Sequence, residues 1–284
     1  MVCHFFSGKA SFRKILVLEV VLGIFLWASV RVHAQSPGSL ASYFSQNSQL
    51  PRYQAQVVAT YPHDPTSFTQ GLVYKNGILY ESSGLYGESS LRKVELATGK
   101  VIQQVKLKDR YFAEGLTLLD GTLVQLSWKS QRLFRYRQDT LELISIQEYP
   151  YQGWGITYDG NHLITSDGSH ILRFLDPEKL SLVRELAVTS GGRKIERLNE
   201  LEYINGKIYA NVWQTSLVVI IDPQEGEVVG WIDLSCLEER EKKSNQWENV
   251  LNGIAYYPEG NQLLVTGKRW SRIYQIKLRE IEAE

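Results

Sequence analysis

The residues with chemical potential are spread along the chain at regular intervals rather than gathered in one motif. Gln70, Glu114, Trp154, Asn199 and Asn252 each stand immediately before a short apolar run, at spacings of about 40 to 53 residues. A second series closes the run that follows each of them: Gly84, Trp128, Gly168, Trp213 and Lys268. Together they supply a carboxylate, carboxamides, an amine and indoles. Glu114 follows Tyr111 and Phe112, and apolar surroundings raise a carboxyl pKa towards the range useful for proton transfer. An amine and carboxamides suit an oxygen that gains negative charge, and indoles suit the wall of a small-ligand pocket. Taken singly, each residue also has an ordinary reading. Tryptophan packs between sheets, Glu114 suits a solvated strand end, Lys268 a surface charge, and Asn199 or Asn252 a turn. Phe68 and Gln70, in Ser67-Phe68-Thr69-Gln70, suit a plain loop.

The elements that must position these residues follow from an internal repeat. QGLVYKNGILYESSG from Gln70, EGLTLLDGTLVQLSW from Glu114, WGITYDGNHLITSDG from Trp154, NELEYINGKIYANVW from Asn199 and NGIAYYPEGNQLLVTGK from Asn252 share one template of strand, tight turn and strand. Asn76-Gly77, Asp120-Gly121, Asp159-Gly160 and Asn205-Gly206 are pairs that take the positive φ angles of a type I′ hairpin. Pro258-Glu259-Gly260 replaces them with a longer turn. A third strand follows each hairpin, often with a turn and a fourth. Four antiparallel strands repeated five times predict an all-β, five-bladed β-propeller. The fifth copy ends after three strands near Leu278, and an unassigned strand, Tyr53 to Tyr61, precedes the first copy. That N-terminal strand is expected to close the last blade.

Because one strand begins where its antiparallel neighbour ends, both variable series should meet at one mouth of the central channel. A packing position held by Gly in two copies, Trp in two and Lys in one would leave voids or clashes in a close-packed interior. The variation therefore marks a site rather than core.

Other features bound the reading. Arg13 and Lys14 precede an apolar run from Ile15 to about Val30, ending in Val32-His33-Ala34, so residues 1–34 read as a signal peptide and the protein as exported, periplasmic or secreted. An uncleaved membrane anchor is the alternative, though Glu19 interrupts the run. Residues 35–52 read as a polar linker and 53–284 as one catalytic domain. Lysine plus arginine and aspartate plus glutamate balance at 31 each, with no basic stripe, which excludes the footprint of a nucleic-acid binder. Cys236 alone remains beyond the leader, so neither an internal disulfide nor a thiolate metal cluster can form. There is no Gly-x-Ser-x-Gly elbow, His-Glu-x-x-His pair or Walker loop. His63, His162 and His170 lack metal-ligand spacing and read as loop or turn residues, so no catalytic zinc is expected. The charged stretch Glu238 to Asn249 reads as a solvated loop or short helix.

Several stretches resemble one family closely: Phe68-Thr69-Gln70-Gly71-Leu72, Phe112-Ala113-Glu114-Gly115, Gly153-Trp154-Gly155, Leu198-Asn199-Glu200-Leu201-Glu202-Tyr203, Ile208-Tyr209-Ala210-Asn211-Val212-Trp213 and Leu251-Asn252-Gly253-Ile254-Ala255. They are similar to the plant and bacterial type of glutaminyl-peptide cyclotransferase, over about Tyr53 to Leu278. The resemblance implies a five-bladed propeller that converts N-terminal glutamine of peptides or proteins to pyroglutamate with release of ammonia. It assigns acid/base work to Glu114, a carboxamide and an amine of the site to Asn199 and Lys268, and an aromatic pocket to Phe68, Phe112, Trp128, Trp154 and Trp213. Gln70 becomes a further polar contact. It also implies catalysis without a cofactor and a possible structural calcium in the channel with unassigned ligands; separately, the protein is expected to be a monomer. Two other classes fit the residues themselves. One is a metal-dependent propeller lactonase, for which Glu114, Asn199 and Asn252 are three candidate ligands; the other is a propeller that only binds peptides at its aromatic mouth.

Overall fold

The computed structural model describes residues 37–46, 49–241 and 248–281, and the expected signal peptide at 1–34 lies outside them. Among the described residues, no helix is long and apolar enough to cross a membrane.

Among the described residues, short alternating or wholly apolar runs between turn residues make 22 strands, accompanied by two helices. Helix α1 spans Pro37–Gln46 and strand β1 Arg52–Pro62. The first repeat unit holds β2 (Thr69–Lys75), β3 (Ile78–Ser83), β4 (Ser90–Glu95) and β5 (Lys100–Lys106). The second holds β6 (Ala113–Leu119), β7 (Thr122–Ser127), β8 (Arg132–Arg137) and β9 (Leu143–Glu148). The third holds β10 (Ile156–Tyr158), β11 (Leu163–Thr165), β12 (Ile171–Leu175) and β13 (Leu182–Ala187). A two-strand ribbon, β14 (Thr189–Ser190) and β15 (Arg193–Lys194), leads to β16 (Leu198–Ile204), β17 (Lys207–Val212), β18 (Leu217–Ile221) and β19 (Val228–Asp233). Helix α2 (Ser235–Glu241) precedes β20 (Leu251–Tyr257), β21 (Gln262–Gly267) and β22 (Arg272–Ile281).

Each unit is an antiparallel meander in sequence order. The fourth and fifth are continuous, because β1 pairs antiparallel with β22 along its length and parallel with β19 over three residues. β1 thus fills the outer place of the last unit and covers an edge that would otherwise be free. The first strands of the units touch in succession, β2 to β6, β6 to β10, β10 to β16, β16 to β20, and β20 back to β2. That closed ring of inner strands makes the chain a β-propeller. Apolar clusters fill the spaces between neighbouring sheets, such as Leu72, Leu79, Ala255 and Leu264 between the first and last units.

Glycine after the variable residue lets the inner strands approach. A Cβ on Gly115 would stand 2.6 Å from Trp154 O and 2.7 Å from Ile156 N, both backbone atoms that cannot yield. Three of the four expected hairpin pairs take positive φ at both residues: Asn76-Gly77, Asp120-Gly121 and Asn205-Gly206. The fourth does not. Asp159 stays outside that region, and its carboxylate accepts the Asn161 and His162 amide protons at 2.8 and 2.6 Å, which makes a longer side-chain-closed turn.

The segment read as a polar linker carries structure instead. Within its Ser- and Gln-rich composition, Leu40 and Phe44 stand four apart on one face of α1 and are buried in the core. Phe44 stacks on Trp231 at 5.5 Å, and Tyr43 Oη donates to Ser190 O at 2.6 Å.

Candidate active site

Local backbone irregularity aims the first variable series. The pairing register of β2, β6, β16 and β20 slips at Thr69/Gly71, Ala113/Leu116, Leu198/Leu201 and Leu251/Ile254. The bulges fall on Gln70, Glu114, Asn199 and Asn252 and take these residues out of regular pairing. The second series lies at the same edge. Gly84, Trp128, Trp213 and Lys268 donate their amide protons to Phe68, Phe112, Arg197 and Val250, at 2.8 to 3.0 Å. The two glycines are the space their neighbours need: a Cβ on Gly84 would strike Phe112, and one on Gly168 would strike Trp154.

The result is a cavity of about 270 Å³ at one mouth of the channel. The nine residues that the family resemblance assigns to the site line it: Glu114, Asn199 and Lys268, with Phe68, Gln70, Phe112, Trp128, Trp154 and Trp213. Asn252 does not. It stands behind Gln70, donating from Nδ2 to Gln70 Oε1 at 3.2 Å and to Thr69 O at 3.0 Å. With its oxygen engaged, Gln70 has its amide NH₂ left to offer a ligand.

The aromatic wall is built of edge-to-face pairs. Phe68 meets Phe112 at 6.1 Å, Phe112 meets Trp128 at 5.6 Å, and Trp154 meets Trp213 at 5.4 Å. Lys268 Nζ lies 4.7 Å from the Phe68 ring centre and 5.9 Å from that of Trp213. Glu114 and Lys268 are both only 5% exposed. Burial holds the Glu114 carboxyl well above its usual 4.5, against the opposing pull of the Lys268 charge. Burial likewise lowers Lys268, while the carboxylates of Glu114 and Glu248 pull it back up. The cavity thus brings an acid with strong proton affinity together with a weakened ammonium. The Oδ1 atom of Asn199 is buried without a partner among the described residues.

Sequence reasoning missed several contributors. Leu85 and Glu248 also line the cavity. Leu85 has φ of +90°, a strained conformation for a bulky residue. His63, read as a loop residue, is instead 9% exposed inside a charged network. Its ring nitrogens meet Glu81 Oε1 at 2.9 Å and Trp270 O at 2.7 Å, and Ser67 and Thr69 donate to the same carboxylate. Arg92 approaches Glu81 at 3.6 Å and bonds Asp64 at 2.7 Å. The network fixes the residues on either side of Phe68. The stretch from Glu238 begins as a short helix, one of the two forms expected of it, but its end is tied into the fold, because buried Glu241 accepts from Tyr274 Oη at 2.7 Å and from the Ser271 amide at 2.8 Å.

Glu200 is the other omission, and its signal was visible. Where four copies have glycine after the variable residue, the fourth has this glutamate. It is 1% exposed and accepts the amide protons of Leu72 at 3.2 Å and Ile254 at 2.9 Å, clamping three inner strands across the ring.

Among the described residues, no group of three or more His, Cys, Asp or Glu side chains converges. Both oxygens of Glu200 already serve amides, and inner carbonyls accept from protein groups: Thr69 from Asn252, Asn199 from Ser166, Trp154 from Gly115.

A sequence profile of the Glutamine cyclotransferase family matches residues 29–278. The chain belongs to that family. It is 44% identical to a glutaminyl-peptide cyclotransferase of Arabidopsis thaliana, over 98% of this chain and 87% of the relative. Its fold is similar to the crystal structure of Myxococcus xanthus glutaminyl cyclase, with a TM-score of 0.77 and 36% identity over 82% of this chain and 99% of the other.

Proposed function

We propose that this protein is a glutaminyl-peptide cyclotransferase that closes the N-terminal glutamine of peptides and proteins to pyroglutamate. In this reaction the free α-amine attacks the side-chain carboxamide carbon. A C–N bond forms, the bond to the amide nitrogen breaks, one proton passes from the amine to that nitrogen, and ammonia leaves. Attack is already intramolecular, so the protein's tasks are to select the folded rotamer and to manage protons and charge. The observation that carries the reading is Glu114: a carboxyl buried in an aromatic cavity, with its proton affinity raised, is suited to take the proton from the amine and deliver it to the departing nitrogen.

The remaining groups divide the other work. Indoles of Trp128, Trp154 and Trp213, with Phe68 and Phe112, enclose the glutaminyl methylenes and exclude water. Lys268 and Asn199, with the free NH₂ of Gln70, face the carboxamide oxygen as it gains charge in the tetrahedral intermediate. Asn252 is absent from the cavity wall that holds Glu114 and Asn199, so the three candidate ligands of the lactonase reading do not meet there, which disfavours it. The domain acts as an exported monomer without a catalytic cofactor. Cleavage after Ala34 would expose Gln35, itself a substrate, which mass spectrometry of the mature N-terminus would register as a loss of ammonia. The direct test is ammonia release from a Gln-initiated dipeptide by the purified protein. No turnover of any such peptide would favour a peptide-binding propeller instead.

A further inference from the structure

Gln152 occupies a third repeat position, two residues before the first variable series. The other copies have Phe68, Phe112, Arg197 and Val250 there. In the first two units this position supplies an aromatic side chain to the cavity wall. In the third it supplies a carboxamide on the connection between β9 and β10. With its oxygen turned to the indoles, Gln152 accepts from Trp154 Nε1 at 2.7 Å and from Trp128 Nε1 at 3.0 Å. The reverse orientation would set its NH₂ against two N–H donors, so hydrogen bonding selects the first. One oxygen thereby joins indoles of two neighbouring units. Through the edge contacts of Phe112 with Trp128 and of Trp154 with Trp213, it sits at the centre of a chain of four rings.

We propose that Gln152 is the positioning residue of the aromatic wall, holding Trp128 and Trp154 so that they present ring surface rather than N–H groups to the substrate. This rests on the function proposed above. An indole N–H left free in the cavity would compete for the carboxamide oxygen of the substrate and favour placements in which the glutaminyl chain is not folded for attack. Capturing both N–H groups outside the cavity reserves that oxygen for Lys268, Asn199 and Gln70.

The test compares Gln152→Leu and Gln152→Ala, which remove the acceptor, with Gln152→Glu, which retains it. With a Gln-initiated dipeptide, the acceptor-less variants are expected to raise KM about tenfold while kcat stays within about threefold of wild type. Gln152→Glu is expected to hold KM within about threefold. Near-ultraviolet circular dichroism and tryptophan emission should change in the Leu and Ala variants and be restored in the Glu variant, a pattern that general loss of stability does not produce. Wild-type KM in either acceptor-less variant, or a Glu variant as impaired as they are, overturns the assignment. Absence of turnover by wild-type protein would instead count against the proposed function. In that case, or if the Leu variant fails to fold, the spectra of the Ala and Glu variants decide the role of Gln152, and unchanged spectra reject it.

Discussion

Replacing Glu114 with glutamine should abolish turnover and, at the same time, protect the fold against rising pH. The carboxyl is 5% exposed, and burial holds its pKa well above the unfolded value near 4.5. The folded protein therefore binds this proton more tightly than the unfolded chain does. The resulting stability is complete below pH 4.5 and is lost as pH rises through the folded pKa. Each pH unit crossed in that interval costs about 1.4 kcal/mol, or about 3–5 °C of Tm in a domain of this size. Glutamine carries no such proton and escapes the loss. One effect opposes the gain, since Lys268 would lose one of the two carboxylates that sustain its charge. Melting temperatures of the two proteins should converge at pH 4.5 and separate by several degrees in favour of Glu114→Gln at pH 8. In ammonia-release assays on the same preparations, kcat should fall by about 10²–10⁴ while KM stays within a few-fold. A variant within tenfold of wild-type rate would refute the proton-transfer role. A Tm difference that does not widen with pH would refute the buried-carboxyl argument.

Other consequences can be measured independently. Glu200→Ala would orphan the buried amides of Leu72 and Ile254, a cost of about 2–6 kcal/mol, and should lower Tm by about 5 °C or more, with Glu200→Gln recovering part of the loss. Gly155→Ala would drive a methyl into the backbone carbonyl of Asn199, so soluble yield should collapse; a soluble, active protein would show that the inner ring is looser than described. Dialysis against a chelator should leave turnover of a Gln-initiated dipeptide within about twofold, because no group of carboxylates, imidazoles or thiolates converges among the described residues; metal-restorable loss would revive the hydrolase reading.

Much of the site was legible in the sequence because a repeat makes position comparable across copies. Hydrophobic alternation and Asn-Gly or Asp-Gly turns are local, so they placed the hairpins before any contact was known. Antiparallel pairing then put Gln70, Glu114, Trp154 and Asn199 at the same edge as Trp128, Trp213 and Lys268. What resisted was whatever depends on partners far along the chain or on a residue's departure from its composition. Leu40 and Phe44 were hidden in a polar stretch, because a single i, i+4 pair signals little until a surface exists for it to cover. His63 reads as a loop residue until Glu81 and Trp270 surround it.

The order of strands within each unit and the residues facing the mouth were thus determined by local pattern and turn chemistry. Ring closure decided the rest. Only when β20 returns to β2 does Glu200 reach amides 54 and 128 residues away. Only when the second and third units lie side by side can one Gln152 oxygen find two indoles. Burial by the whole ring, not by adjacent sequence, is what raises the proton affinity of Glu114, because desolvation is set by everything that surrounds a group in space.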